Sequence, residues 1–167
     1  VGDERKEMKV DPLPQVTVGQ VIGLLEFLED VRGKKDIPKL AQEIRHDLDD
    51  LYPIVDAAEL LFFVKVENGD IKLTPVGRSF LKGDVNARKR LFKEQLKKVK
   101  AFKEALKILK SRKDQQIDRE ELVELFSSHL PEEDAEELVH TLIDWGRFAE
   151  LIGYNADFEE VYLGEES

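Results

Sequence analysis

The hydrophobic pattern changes period partway along the chain, and that change bounds the fold more tightly than any other feature. Up to Leu61 the apolar residues recur every three or four positions, and from Phe63 they alternate. The first spacing lines one face of a helix and the second lines one face of a strand. Phe63 to Glu67, then Asn68-Gly69, then Asp70 to Leu73 reads as a hairpin, because Asn-Gly tolerates the positive φ angles a two-residue turn requires. Three predicted helices precede it. Thr17 and Gln20 form a capping box, Val16 can staple onto Val21, and Val21, Leu24, Leu25 and Leu28 face inward as far as Gly33. Asp36 caps a short second helix, with Pro38 in its first turn and Leu40, Ala41 and Ile44 inward. Asp49 or Asp50 caps a third, with Pro53 in its first turn and Leu51, Ile54, Val55, Ala58 and Leu61 inward. After the hairpin, Thr74-Pro75 opens a helix that runs through Lys82.

The same order of elements then recurs without a sequence repeat of fixed period. Gly83-Asp84 is a stop and start signal, and from Asp84 to about Arg112 the pattern predicts one long helix, or two with a bend near Val99. Phe92, Leu96, Val99, Phe102, Leu106 and Leu109 form its apolar stripe. Asp118 and Glu121 make a capping-type pair before Leu122, Val123, Leu125 and Phe126. Pro131 begins a helix with carboxylates in its first turn, where they suit the helix dipole. Ala149 to Tyr154 and Glu159 to Leu163 read as two strands. The expected fold class is therefore α+β, mainly α, in tandem winged-helix-like units, each of three helices and a β-hairpin wing. Residues 1–15 read as a leader or linker, 16–83 as the first unit, 84–163 as the second with a long basic first helix, and 164–167 as a tail. The chain opens on Val1 rather than Met, and an excised piece of a longer protein is the expectation.

Charge and composition narrow the chemistry. There is no cysteine, which excludes a disulfide framework, a thiolate zinc site, an iron–sulfur cluster and a cysteine nucleophile. Apolar runs such as Leu60 to Val64 are too short to span a bilayer, so no membrane insertion is expected and a cytoplasmic location is. The net charge is −10, yet it is unevenly spread. Residues 82–113 hold thirteen of the 26 basic side chains against Asp84, Glu94 and Glu104, a net of +10, so the remainder carries −20. Lys93, Lys97, Lys100 and Lys107 fall near one face of the predicted long helix. They form either a solvated face that attracts the acidic remainder or a docking face for an acidic partner, with nucleic acid as a third reading. Ordinary winged-helix reading of DNA is disfavoured. The third helix of the first unit carries Asp47, Asp49, Asp50, Asp56 and Glu59 with no Lys or Arg, and residues 131–147 carry six acids and only Arg147.

No catalytic constellation emerges. His46, His129 and His140 lack partners at metal-ligand spacing, and Glu132 to Glu137 lack the glycine-turned loop of a calcium site. Ser127-Ser128-His129 is contiguous, so hydroxyl and imidazole would point apart on a helix. The expectation is a chain without metal, cofactor or catalytic residues. Trp145-Gly146-Arg147 has two readings. Trp145 packs in the second core while Gly146 relieves crowding, or Trp145 and Arg147 contact a ligand or partner together with Arg78, from the matching place in the first unit.

Five runs carry a family resemblance: Val10 to Val21, Ala57 to Leu61, Leu73-Thr74-Pro75-Val76-Gly77-Arg78, Leu91 to Leu96, and Ile143-Asp144-Trp145-Gly146-Arg147-Phe148-Ala149-Glu150-Leu151. Together they resemble the AAA-associated C-terminal domain that follows the ATP-binding core in ABC transporter ATPases of the nitrate, sulfonate and bicarbonate type. The resemblance runs from about Val10 to Leu163. It implies a non-catalytic regulatory or protein-interaction domain, partnered by the ATP-binding core or by itself, and held at the inner membrane face through a transporter complex. The P-loop GxxxxGK[ST] is missing from the sequence, and its nearest approach, Gly33-Lys34-Lys35, has Leu28 in place of the first glycine and Lys35 in place of the hydroxyl. ATP hydrolysis would then belong to another segment. The alternative is a nucleic-acid-binding winged-helix regulator that uses the basic central helix. Effector, transported substrate and oligomeric state are not legible in the residues.

Overall fold

In the computed structural model, which describes residues 10–43 and 48–164, helix α1 (Val18–Asp30) begins on the expected capping box. The Thr17 hydroxyl accepts from the Gln20 amide at 3.1 Å, and the Gln20 side chain accepts from the Thr17 amide at 2.9 Å. The helix buries Val18, Val21, Leu24, Leu25 and Leu28. Arg32 and Gly33 then turn the chain with φ of 66° and 82°. His46, and the readings of Ile44 and Asp47, lie outside the described residues.

After the turn comes a strand the sequence reading did not contain. β1 (Lys34–Asp36) leads into α2 (Ile37–Glu43) and α3 (Leu48–Leu60), followed by β2 (Val64–Glu67) and β3 (Asp70–Leu73). β1 pairs antiparallel with β3, Lys35 opposite Ile71, so the sheet has three strands in the order β1-β3-β2. Three polar-rich residues are too few to show an alternation, so the period test could not see β1. Asp49 and Asp50 lie inside the first turn of α3 rather than at its cap. The hairpin turn is as expected, with Asn68 and Gly69 at φ of 52° and 80°.

Thr74 caps α4 (Pro75–Lys82), accepting from the Gly77 amide at 3.0 Å and donating to the Phe62 carbonyl at 2.6 Å. A side chain on Gly77 would meet the Phe63 carbonyl oxygen at 2.2 Å, so the Thr-Pro-Val-Gly run exists to seat α4 on the root of the hairpin. The predicted long helix is two: α5 (Val85–Leu96) and α6 (Lys100–Ser111), parted at the extended residue Val99 (φ −86°, ψ 130°). α5 is bound into the first unit. Phe92 meets Phe63 and Phe80 at ring-centroid distances of 5.9 and 6.2 Å. The buried Gln95 donates to the Leu61 carbonyl at 2.9 Å, and Arg88 donates to the Phe80 and Leu81 carbonyls. The described residues accordingly divide into two units, 16–95 and 96–164, with residues 10–15 grouped with the second.

In the second unit α6 is followed by β4 (Gln116–Asp118), α7 (Arg119–Ser127), α8 (Glu132–Phe148), β5 (Ile152–Asn155) and β6 (Glu160–Leu163). The sheet order is β4-β6-β5, the first sheet's order again. α8 continues to Phe148 and caps at Ala149, so the strand expected from Ala149 begins only at Ile152. Equivalent backbone bonds recur throughout. The Phe63 amide donates to the Ala58 carbonyl at 3.0 Å and the Leu151 amide to Gly146 at 2.9 Å. Leu73 donates to Gly33 at 2.7 Å and Leu163 to Gln115 at 3.0 Å. The helix exits match too, with Phe62 and Glu150 both left-handed at φ of 64° and 59°. The molecule is thus α+β and mainly helical, with two small three-stranded antiparallel sheets.

Candidate functional site

The charged faces of the second unit hold the clearest candidate surface. α6 turns Ala101, Phe102, Ala105, Leu106, Ile108 and Leu109 into its core. What is left outside is a stripe of lysines. Lys100, Lys103, Lys107 and Lys110 are all exposed, and their spacing of three, four and three keeps them on one face. At 1.5 Å per residue the stripe spans roughly 15 Å. Of the four lysines singled out from sequence, Lys100 and Lys107 lie on it. Lys93 is half-buried on α5 and Lys97 half-buried in the turn before Val99, which resets the helical phase between them and α6. Lys103 and Lys110 were the missed members, and their three-four-three spacing with Lys100 and Lys107 was the available signal.

A second surface is acidic. Asp118, Glu120, Glu121, Glu124, Phe158 and Glu159 line an open hollow of about 450 Å³ beside α7 and the β5–β6 turn. Asp118 stands at the N-cap position of α7, but its carboxylate makes no capping bond. Glu121, the other half of that expected pair, binds Arg112 instead at 2.9 Å. Among the described residues Glu120, Glu124 and Glu159 have no ion-pair partner. Phe158 is 71% exposed at the rim. The third helices are acidic on their outer faces as well: Asp49, Asp50, Asp56 and Glu59 on α3, and Glu132, Glu133, Glu136, Glu137 and Asp144 on α8 are exposed.

Trp145 is fully buried, stacked nearly parallel on Phe102 with centroids 6.5 Å apart. A side chain on Gly146 would meet Ile152 Cγ1 at 2.4 Å, which is the crowding that glycine relieves. Arg147 is exposed at the end of α8. Arg78 belongs to the first unit, where it is exposed on α4 and its guanidinium lies over Gly33. The hydroxyls of Ser127 and Ser128 donate to the Glu124 and Leu125 carbonyls at 2.8 and 2.7 Å, and His129 is exposed. Among the described residues no three His, Asp or Glu side chains are arranged to hold a metal ion, and no helix is long and apolar enough to cross a membrane.

On the first unit's hairpin the charges are paired. Lys65 Nζ lies 2.7 Å from Glu67 Oε1, and Lys72 Nζ lies 3.3 Å from Glu67 Oε2. Hydrogen bonds from Lys65 and then Lys72, with their positive charge, hold the Glu67 carboxyl below its ordinary value. The hydrogen bond and charge of Glu67 raise Lys65 in turn.

Comparison with curated proteins and with solved structures found no match. A family model, the C-terminal AAA-associated domain, matches residues 38–155, which take in most of both units. With that span matched, the chain belongs to the C-terminal AAA-associated domain family.

Proposed function

We propose that this chain is a non-catalytic accessory domain that serves the ATP-binding subunit of an ABC transporter of the nitrate, sulfonate or bicarbonate type. The observation that carries the reading is the family match across residues 38–155. Each unit is read as winged-helix-like: helix, short strand, two helices, then a hairpin whose second strand also pairs with the short one. The mechanism is binding rather than chemistry. An effector or a partner surface, engaged at the inner membrane face on the cytoplasmic side, biases how the ATPase subunits associate. The acidic outer faces of α3 and α8 support a protein partner over DNA, since a recognition helix must neutralise phosphates.

The test is to add this chain to an ATP-binding subunit lacking it and to follow co-elution and ATP hydrolysis. Co-elution with a change in the hydrolysis rate is expected. Separate elution with an unchanged rate would sink the reading, as would ATP hydrolysis by this chain alone. The exposed lysine stripe of α6 favours a second reading, nucleic-acid binding through that helix. A gel shift that weakens steeply between low and moderate salt would establish it.

A further inference from the structure

The lysine stripe and the acidic hollow belong to the same unit, and each holds charges without an ion-pair partner among the described residues. Among the described residues Lys100, Lys103 and Lys110 make no ion pair, and neither do Glu120, Glu124 or Glu159. The stripe is a convex helical face and the hollow is concave, open and about 450 Å³. Phe158, 71% exposed at its rim, supplies an apolar surface that burial would remove from water. Lysine suits such a contact, because its aliphatic stem can cover the ring while the ammonium reaches the carboxylates.

From this complementarity we propose that the chain associates with a second copy of itself, the α6 lysine face of one copy seated in the acidic hollow of the other. A second copy is favoured over other polyanions by the charge distribution. Outside residues 82–113 the chain carries −20, which opposes approach to a nucleic acid or an anionic bilayer. A second copy brings the same repulsion at long range. It also brings, at contact, a concave hollow of opposite charge, and screening by salt weakens the distant repulsion first. Each copy has both surfaces, so a two-fold pairing makes the contact twice. The proposal is independent of the ATP-binding partner and stands or falls separately from that reading.

Sedimentation of the full chain, with and without charge reversals, tests it. The wild type is expected to form a reversible dimer at moderate salt, where the distant repulsion is screened and the contact pairs still attract. Lys103→Glu with Lys110→Glu, and separately Glu120→Lys with Glu124→Lys, should each weaken that association by roughly tenfold or more. All four positions are exposed, and far-UV circular dichroism checks that the variants fold. Mixing the two variants is the decisive step. Reversed α6 meets reversed hollow, so a one-to-one pair should reappear although neither variant self-associates. A wild type that stays monomeric at moderate as well as low salt overturns the proposal, as do variants that associate like wild type or a mixture that fails to pair. Binding of phosphatidylserine vesicles by a monomeric wild type, lost on Lys103→Glu with Lys110→Glu, also overturns it and assigns α6 to a lipid surface.

Discussion

Where the first unit places Ala57 and Ala58 at the exit of α3, the second places Trp145 and Gly146 at the exit of α8. The equivalence is set by the backbone. Leu61 donates to Ala57 at 3.1 Å and Ala149 to Trp145 at 3.2 Å, and two residues on Phe63 donates to Ala58 and Leu151 to Gly146. One trace is therefore filled in two ways. The first unit fills it with Phe63, Phe80 and Phe92, whose centroids lie 4.9 to 6.2 Å apart. The second fills it with Trp145 stacked on Phe102. Large aromatics can come from the third helix or from the elements around it, provided the volume is made up. That explains why the element order repeats while the sequence does not.

Trp145→Ala is the most severe way to break this comparison. It gives α8 the residue α3 has, without the phenylalanines that make Ala57 tolerable in the first unit. The expected loss is about 4 kcal/mol, read by urea unfolding with far-UV circular dichroism, since the only tryptophan is gone. A loss under about 1 kcal/mol would mean the indole is not a core residue. Gly77→Ala should cost slightly less, about 3 kcal/mol. Its new methyl meets a backbone carbonyl, which cannot rotate away. Among the described residues the second unit has no counterpart of α4, so the contact is seen in the first unit.

Gly146→Ala is milder and sharper. Its obstacle is the Ile152 side chain, whose equivalent in the first unit, Val64, coexists with Ala58. The single substitution should cost about 2 kcal/mol, and Ile152→Val added to it should recover most of that loss. Trp145 fluorescence follows both, because it reports the second unit alone. Additive losses would show that the two units do not exchange this pair of residues as their backbones suggest.

The comparison also shows what a sequence can and cannot display. The helices were legible because burial of Val21, Leu24, Leu25 and Leu28, or of Leu138, Val139 and Leu142, imposes a period over several turns. The first hairpin was legible because Asn68-Gly69 leaves the backbone little choice. β1 and β4 were not, since Lys34–Asp36 and Gln116–Asp118 are each too short to establish an alternation. The end of α8 was misplaced because apolar residues continue across it, and only the left-handed Glu150 marks the exit, a position where glycine would have been the readable signal. The lysine stripe shows the same limit. Assuming a continuous helix put Lys93 and Lys97 in phase with Lys100, whereas the extended Val99 starts the count again. The hollow needed β6 beside β4 to exist at all, because Glu120 and Glu159 are brought to one place only by that pairing.

The hairpins give the finest contrast. At the outer positions of the first lie Lys65, Glu67 and Lys72, and at the equivalent positions of the second lie Gly153, Asn155 and Tyr162. In the first, Glu67 pairs along its own strand with Lys65 and across to β3 with Lys72. In the other an aromatic ring lies across a glycine, with Tyr162 directly opposite Gly153 and so close that an added Cβ would fall 2.2 Å from the ring. The charged arrangement responds to pH through Glu67 and Lys65. Because the Glu67 carboxyl is lowered in the folded state, its contribution is present above the unfolded value and is lost as pH falls through the folded value. The raised Lys65 gives the mirror case, its contribution present below the ordinary lysine value and lost as pH rises through the folded one. Both side chains are well exposed, so the effect on stability is small and the titration midpoint is the better readout. A carboxyl NMR titration should place Glu67 below the ordinary glutamate range, and Lys65→Met should move it back up, further than Lys72→Met does, because the Lys65 hydrogen bond is the shorter and leading cause. A Glu67 midpoint unmoved by Lys65→Met would show that this pair along β2 is not formed in solution, and the charge contrast between the two hairpins would then rest on Lys72 alone.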